Sequence, residues 1–436
     1  MRVFLSIFIL SAGTVTAADF DSLIGQGRAA FLAWDLDAAQ AAYAQACPAE
    51  PMALFPLQKI AVCEHELGAI AEARENDDEA SSRYLRALAA WEKLGHPYLA
   101  HNVVTMINLG ALYRRQYRFA DAEAMLSRAL ELVRTLTGPD SSLYAMVLSR
   151  TGSLYGDLDQ PDRARPMLEE AIAGLRALTP PNAPELALAF SSLGLIEIGS
   201  GHYKSAESDL RQALTLADES LGEGSPETAA YATNLALGLL VEGQYDRAGM
   251  LLRRARFVIE SRFGSNSVRL VNVFAELTSV EMRLGRFRIA EDYGEKAVSI
   301  LNSHVPPGSR EIVFTQINLA ALYLREHKTA QAEKILPAAI DAERRFLKDG
   351  RILGDGIRDL AALRAQQHAW NEAESLYREA IGCYERKLGA GHPDLAPVLR
   401  EYAAVLKHRG ASKSEIRNIE ARARAIGNPA ARSQVS

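Results

Sequence analysis

The apolar residues of this chain recur on two scales. Within a window they fall every three or four positions, as on one face of an α-helix. Across windows the same order of small and bulky residues returns after 42 positions. Between Leu109 and Leu130 the order is Leu109-Gly110, Tyr113, then Ala122, Leu126 and Ala129. The first small position recurs as Gly27, Gly68, Gly110, Gly152, Gly194, Ala236, Thr278, Ala320, Ala361 and Ala403. Twelve residues on stands an alanine, from Ala39 and Ala80 through Ala332 and Ala373. Four further on stands a bulky residue: Tyr43, Tyr84, Leu126, Leu168, Leu210, Leu252, Leu336 and Tyr377, with Gly294 the exception. Another alanine follows three residues later, from Ala46 to Ala380.

Two helices cross closely only where both carry little side chain, and a bulky neighbour fills the remaining gap. The pattern therefore predicts nine helix pairs, each burying its faces against the next. The expected fold is all-α: a right-handed superhelical solenoid of stacked antiparallel helix pairs over residues 19–427, closed by a C-terminal capping helix. Short turns such as Gly201-His202-Tyr203, Gly243-Gln244-Tyr245 and Gly285-Arg286-Phe287 separate the helices of a pair, with the glycine stopping the first helix. Ser225-Pro226-Glu227 carries helix-start chemistry at a junction between pairs, and His392-Pro393-Asp394 is a variation on it. From Lys348 to Gly356 three glycines interrupt the register and the period slips to 41, which predicts a longer loop there. Ser412 and Glu415 form a capping box. Ile416, Ile419, Ala423 and Ile426 then make a single apolar stripe, as a terminal cap requires. The tail 428–436 is expected to be disordered.

Residues 1–18 differ in kind. Arg2, the apolar run from Val3 to Leu10 and the small residues up to Ala18 match a secretory signal peptide, and the run is short for a bilayer span. The expected location is outside the cytoplasm, periplasmic or extracellular. Export changes the reading of the cysteines. Cys47 and Cys63 fall on helices expected to be neighbours, so they are either a disulfide or two small buried apolar residues. Cys383 has no evident partner. Net charge of −5 without a basic block argues against nucleic acid as a partner.

The period exceeds the usual tetratricopeptide unit. The junctions Lys387-Leu388-Gly389-Ala390-Gly391-His392-Pro393-Asp394 and Ser220-Leu221-Gly222-Glu223-Gly224-Ser225-Pro226-Glu227, with Asn318-Leu319-Ala320-Ala321-Leu322-Tyr323, resemble the tetratricopeptide repeats of kinesin light chains. That resemblance implies that first helices line a concave groove for an extended peptide or a partner helix, with polar contacts two residues before the small position. Here this ladder reads Glu66, Asn108, Arg150, Ser192, Asn234, Glu276, Asn318 and Asp359. Asparagine amides both donate and accept, so they suit a peptide backbone; the alternative is that they brace neighbouring helices. Asn108, Arg150, Ser192, Asn234 and Asn318 are the expected partner-binding residues. Arg114, Arg115, Arg283 and Arg325 lie near the ends of first helices, where solvated surface is their ordinary role.

No phosphate-binding glycine loop, nucleophile elbow or metal-binding histidine pair is present. No catalytic residue, metal or cofactor is expected. The sequence points to a non-enzymatic scaffold or adaptor that binds a protein or peptide. The alternative is a structural subunit that self-associates through the ends or the convex face of the solenoid.

Overall fold

The computed structural model describes residues 17–47, 56–95, 98–116, 118–138, 141–178, 181–304, 310–346 and 350–427. Most of the expected signal peptide, the turn after Cys47 and the tail from Asn428 lie outside these residues. Among them are 20 helices and no strand. They form two compact units, divided between Asn182 and Ala183.

Unit one contains four helix pairs: α1 (Ala17–Leu32) with α2 (Leu36–Ala46), α3 (Leu57–Ala73) with α4 (Asp77–Leu94), α5 (Leu99–Arg115) with α6 (Phe119–Leu136), and α7 (Ser142–Asp157) with α8 (Pro161–Ala177). Unit two contains α9 (Ala183–Gly199) with α10 (Tyr203–Leu221), α11 (Pro226–Val241) with α12 (Tyr245–Phe263), α13 (Leu270–Arg283) with α14 (Phe287–His304), α15 (Arg310–Arg325) with α16 (Thr329–Phe346), and α17 (Arg351–Gln366) with α18 (Trp370–Leu388). A last pair, α19 (Leu395–Arg409) and α20 (Lys413–Gly427), ends it.

The register has a direct steric cause. A Cβ on Gly68, Gly110, Gly152 or Gly194 would stand 2.9, 2.9, 2.7 or 2.6 Å from a carbon of Tyr84, Leu126, Leu168 or Leu210 respectively. Each is the bulky residue 16 positions later, and ordinary contact needs about 3.5 Å or more. The exceptions compensate each other. In the seventh pair the small position holds Thr278 and the bulky one Gly294, and a Cβ on Gly294 would already lie 3.6 Å from Thr278 Oγ1. The volume has moved from one helix to its partner.

Among the described residues, the turn within a pair is equally regular. Its left-handed residue stands seven after the small position: Gly201, Gly243, Gly285 and Gly410, but also Trp34, Glu75, Asp159, His327 and His368, all with φ between 56° and 84°. At Gly201 the next amide, of His202, donates to Glu197 O at 2.9 Å, closing the first helix. Between pairs, Ser225 Oγ accepts from Thr228 N at 3.0 Å, and within the last pair Ser412 Oγ accepts from Glu415 N at 3.2 Å.

The loop expected from Lys348 to Gly356 is a correction. Helix α17 starts at Arg351, so Gly354 and Gly356 are helical. They are close-packing sites: a Cβ would meet Tyr384 at 3.3 Å from Gly354, and Ile317 at 3.1 Å from Gly356. Cys47 and Cys63 are joined as a disulfide, Cα to Cα 5.7 Å, tying α2 to α3. Cys383 is buried. The α20 stripe buries Ala423 and Ile426.

Candidate functional site

Consecutive first helices touch: α5 lies against α7, and in unit two each of α9 to α17 lies against the next first helix. Consecutive second helices make no comparable approach. Each stack therefore curves with its first helices on the inside.

Almost every residue of these inner helices is buried, except one stripe three to four residues apart. On α11 the stripe is Tyr231, Asn234 and Leu237; on α9 it is Leu188, Ser192 and Leu195; on α15 it is Phe314, Asn318 and Ala321. Asn108 sits between Val104 and Ala111 on α5, and Arg150 follows Met146 on α7. The five expected contact residues thus each occupy the accessible stripe of their helix. Asn108 and Arg150 are in unit one; Ser192, Asn234 and Asn318 are in unit two.

Their engagement differs. Asn234 Nδ2 donates to Ser191 Oγ on α9 at 2.9 Å, which braces one helix against the next. Arg150 and Ser192 also have partners. Asn108 and Asn318 make no side-chain hydrogen bond among the described residues. Two ladder acids are braces of a stronger kind. Glu66 is buried, accepts from Tyr43 Oη at 2.9 Å and pairs with Arg28 at 2.5 Å. Burial, with the Glu66 charge adding to it, holds the Tyr43 phenol far above its usual range. On α19, Glu401 stands where the ladder would continue, and it takes a two-pronged ion pair from Arg358, at 2.7 and 2.5 Å.

Beside Arg358 lies Asp359, the ladder residue of α17. Burial pushes its carboxyl up to about 8; Arg358 opposes the shift, and the Asp355 and Glu401 carboxylates add to it. Asp355 in turn accepts from Tyr384 Oη. In unit two the stripe is apolar on α9 and α11, through Leu188, Leu195, Tyr231 and Leu237, and becomes acidic or amide towards α17. Leu195 is 37% exposed.

The arginines at the ends of first helices separate into two kinds. Arg114 pairs with Asp157 at 3.0 Å, and Arg115 with Glu72 and Asp77 at 2.9 and 2.7 Å, each reaching a neighbouring pair. Arg283 and Arg325 are exposed and carry no ion pair among the described residues. His65 is bonded to Thr105 Oγ1 at 2.9 Å, and burial lowers its basicity. No group of three metal-ligating side chains converges, and no helix is long and apolar enough to cross a membrane, among the described residues.

Tetratricopeptide-repeat models match residues 101–177, 186–227 and 357–394. No curated protein sequence matches the chain. Among solved structures, a Rap protein complexed with competence and sporulation factor is similar over 85% of this chain and 100% of that one, at 13% identity and a TM-score of 0.53. The tetratricopeptide-repeat sensor protein PH0952 from Pyrococcus horikoshii is 14% identical over 79% of this chain and 52% of its own, with a TM-score of 0.48. BtubC (BKLC) from P. vanneervenii is 21% identical over 51% of this chain and 90% of its own, with a TM-score of 0.43.

Proposed function

Since the chain is a tetratricopeptide-repeat protein, we propose that it is a binding scaffold in which the inner stripe of each unit, taken by itself, is a surface for a peptide segment of a partner protein. The observation that carries this is the pair of free amides: Asn108 and Asn318 lie in the accessible stripes of α5 and α15 without a hydrogen bond. An amide held at that position by a helix offers one acceptor and two donors to an extended backbone. Arg150, Ser192 and Asn234 stand in the same stripes and contribute through their remaining polar atoms. Leu188, Leu195, Tyr231 and Leu237 supply apolar contact, so the segment carries apolar side chains where it crosses α9 and α11. The use of a similar fold to hold competence and sporulation factor supports a ligand-holding role.

The scaffold works outside the cytoplasm in this reading. The leader-like residues 1–18 and the Cys47–Cys63 disulfide support that location.

The test is affinity capture from the exported fraction of the native host with wild type and an Asn108→Ala/Asn318→Ala variant of equal helicity. A partner held by wild type and lost by the variant supports the inner stripe as the binding surface. A partner held equally by both refutes it. Met250 and Phe257 favour a second reading, association through the outer face. They are 60% and 73% exposed, one stripe apart on α12. Sedimentation that finds only monomer at micromolar concentration removes that reading.

A further inference from the structure

Unit two returns onto its own first turn. The junction between α18 and α19, Gly389 to Asp394, reaches the turn between α9 and α10, Gly199 to Tyr203. His392 is buried at this meeting point. Its Nδ1 faces the Asp394 amide at 3.2 Å, and a backbone N–H can only donate, so Nδ1 is the acceptor. The ring proton is therefore on Nε2, which donates to Gly199 O at 3.1 Å, across 193 residues of chain. Tyr203 Oη donates to Asp394 Oδ1 at 3.3 Å. Between these bonds Pro393 packs on Gly201: a Cβ there would lie 3.2 Å from Pro393 Cγ. Gly201 is thus required twice, for its φ of 78° and for the room that Pro393 takes.

The residues are ordinary repeat residues turned to a second use. Ser225 occupies the position of His392 at the junction after α10, and there it caps its own helix. In α19 the capping residue Asp394 makes no side-chain bond to its helix, which leaves its carboxylate for Tyr203. Neighbouring pairs in unit two pack helix against helix, whereas this long-range contact is made by loop and turn residues, through two hydrogen bonds and Pro393.

We propose that the His392-Pro393-Asp394 junction is a latch on the Gly199–Tyr203 turn, and that it sets the curvature of unit two. The pairs from α9 to α18 lie between its two halves, so closing it fixes how far apart successive inner helices stand. With the latch shut, Ser192, Asn234, Glu276, Asn318 and Asp359 are held at one spacing. With it open, each interface between pairs is free to flex and the spacing becomes a distribution. The latch needs no knowledge of the ligand; its bearing on binding, through preorganisation of the stripe, rests on the function proposed above.

The test uses the full chain without any ligand. Lys204→Cys and Ala390→Cys place nitroxide labels on either side of the latch; the native cysteines are bonded or buried and do not compete. Pulsed electron–electron resonance should give one short, narrow distance. Adding His392→Ala should raise the population at longer distances about tenfold, the effect of losing one such hydrogen bond. Tyr203→Phe, which removes only a hydroxyl, should shift it in the same direction by less, with unchanged helicity. A distribution that neither variant alters, or a native distribution already broad and long, overturns the latch. Either result leaves the capture experiment with Asn108 and Asn318 to stand or fall separately.

Discussion

Two glycines on α1 make the packing rule measurable. Gly25 is exposed, and a Cβ there would meet nothing within 4 Å. Gly27, two residues on, is buried, and a Cβ would lie 2.6 Å from Cδ1 and 2.8 Å from Cζ of Tyr43. Either Gly→Ala change gains up to about 1 kcal/mol of helix propensity in a helix interior. At Gly25 that gain is the whole effect. At Gly27 the ring must move by most of an ångström, and it is not free to do so. Tyr43 is 1% exposed and its hydroxyl is bonded to Glu66, which Arg28 holds in turn. Overpacking of this kind costs about 1–3 kcal/mol. Propensity cancels in the comparison, so Gly27→Ala should be about 1–3 kcal/mol less stable than Gly25→Ala. Repeat arrays do not unfold all-or-none, so the assay is native-state hydrogen exchange of residues 17–47. Amides of α1 and α2 should exchange about 5- to 150-fold faster in Gly27→Ala than in Gly25→Ala. In a cycle with Tyr43→Ala the two costs should fail to add, by about 1 kcal/mol or more. Equal protection in the two glycine variants would refute the steric account of the register.

Replacing Cys47 and Cys63 by alanine opens a loop of 16 residues; unit one should lose about 3 kcal/mol, seen as an earlier first transition on heating. Asp359→Asn should change the pH dependence of unit two. The native carboxyl keeps its proton up to about pH 8 while the unfolded one loses it near pH 4, so the native state binds more protons in that window and stability falls as pH rises through it. The variant should match wild type near pH 4 and melt increasingly later than it towards pH 8.5; parallel melting curves at both ends would contradict the raised carboxyl. His327 is exposed with φ of 57°, so His327→Gly should stabilise by about 0.5 kcal/mol, the left-handed strain relieved less the entropy of glycine; a lower melting temperature would count against the shared turn geometry.

Most of the fold was legible because it rests on residue size at fixed spacing. Small and bulky positions 16 apart need no long-range information, and the same is true of the turn glycines and Ser225. The apparent failure at Gly294 was a signal in its own right: read with Thr278 it is a transfer of volume between paired helices. The stretch around Gly354 was misread because a glycine that admits a neighbouring ring looks, in sequence, like a glycine that breaks a helix. The packing of Tyr384 on Gly354 decides between them, and that contact spans 30 residues. The ladder was found, but its division into braces and free amides was not. Whether Asn234 reaches Ser191 while Asn318 reaches nothing depends on the residue facing it from the preceding first helix. The latch was out of reach altogether, since His392 and Gly199 meet only after four and a half pairs have accumulated their curvature.

The division of the ladder has its own logic. Its anionic members tied by arginine are Glu66, on α3, and Glu401, on α19. Each takes a charged tie from the adjacent inner helix: Arg28 reaches from α1 to Glu66, and Arg358 from α17 to Glu401. Glu66 is buried, and a buried carboxylate is costly unless paired and hydrogen-bonded, as it is by Arg28 and Tyr43. Elsewhere in the two units the position divides: Asn234 braces α11 against α9 through Ser191, whereas the side chains of Asn108 and Asn318 make no hydrogen bond among the described residues. Asp359 is a third case: burial raises its carboxyl, Arg358 opposes the shift, and the Asp355 and Glu401 carboxylates add to it. One position in the repeat therefore serves cohesion in some pairs, at Glu66, Asn234 and Glu401, and is left open in others, at Asn108 and Asn318. That is the condition under which a repeated side chain becomes available to a partner.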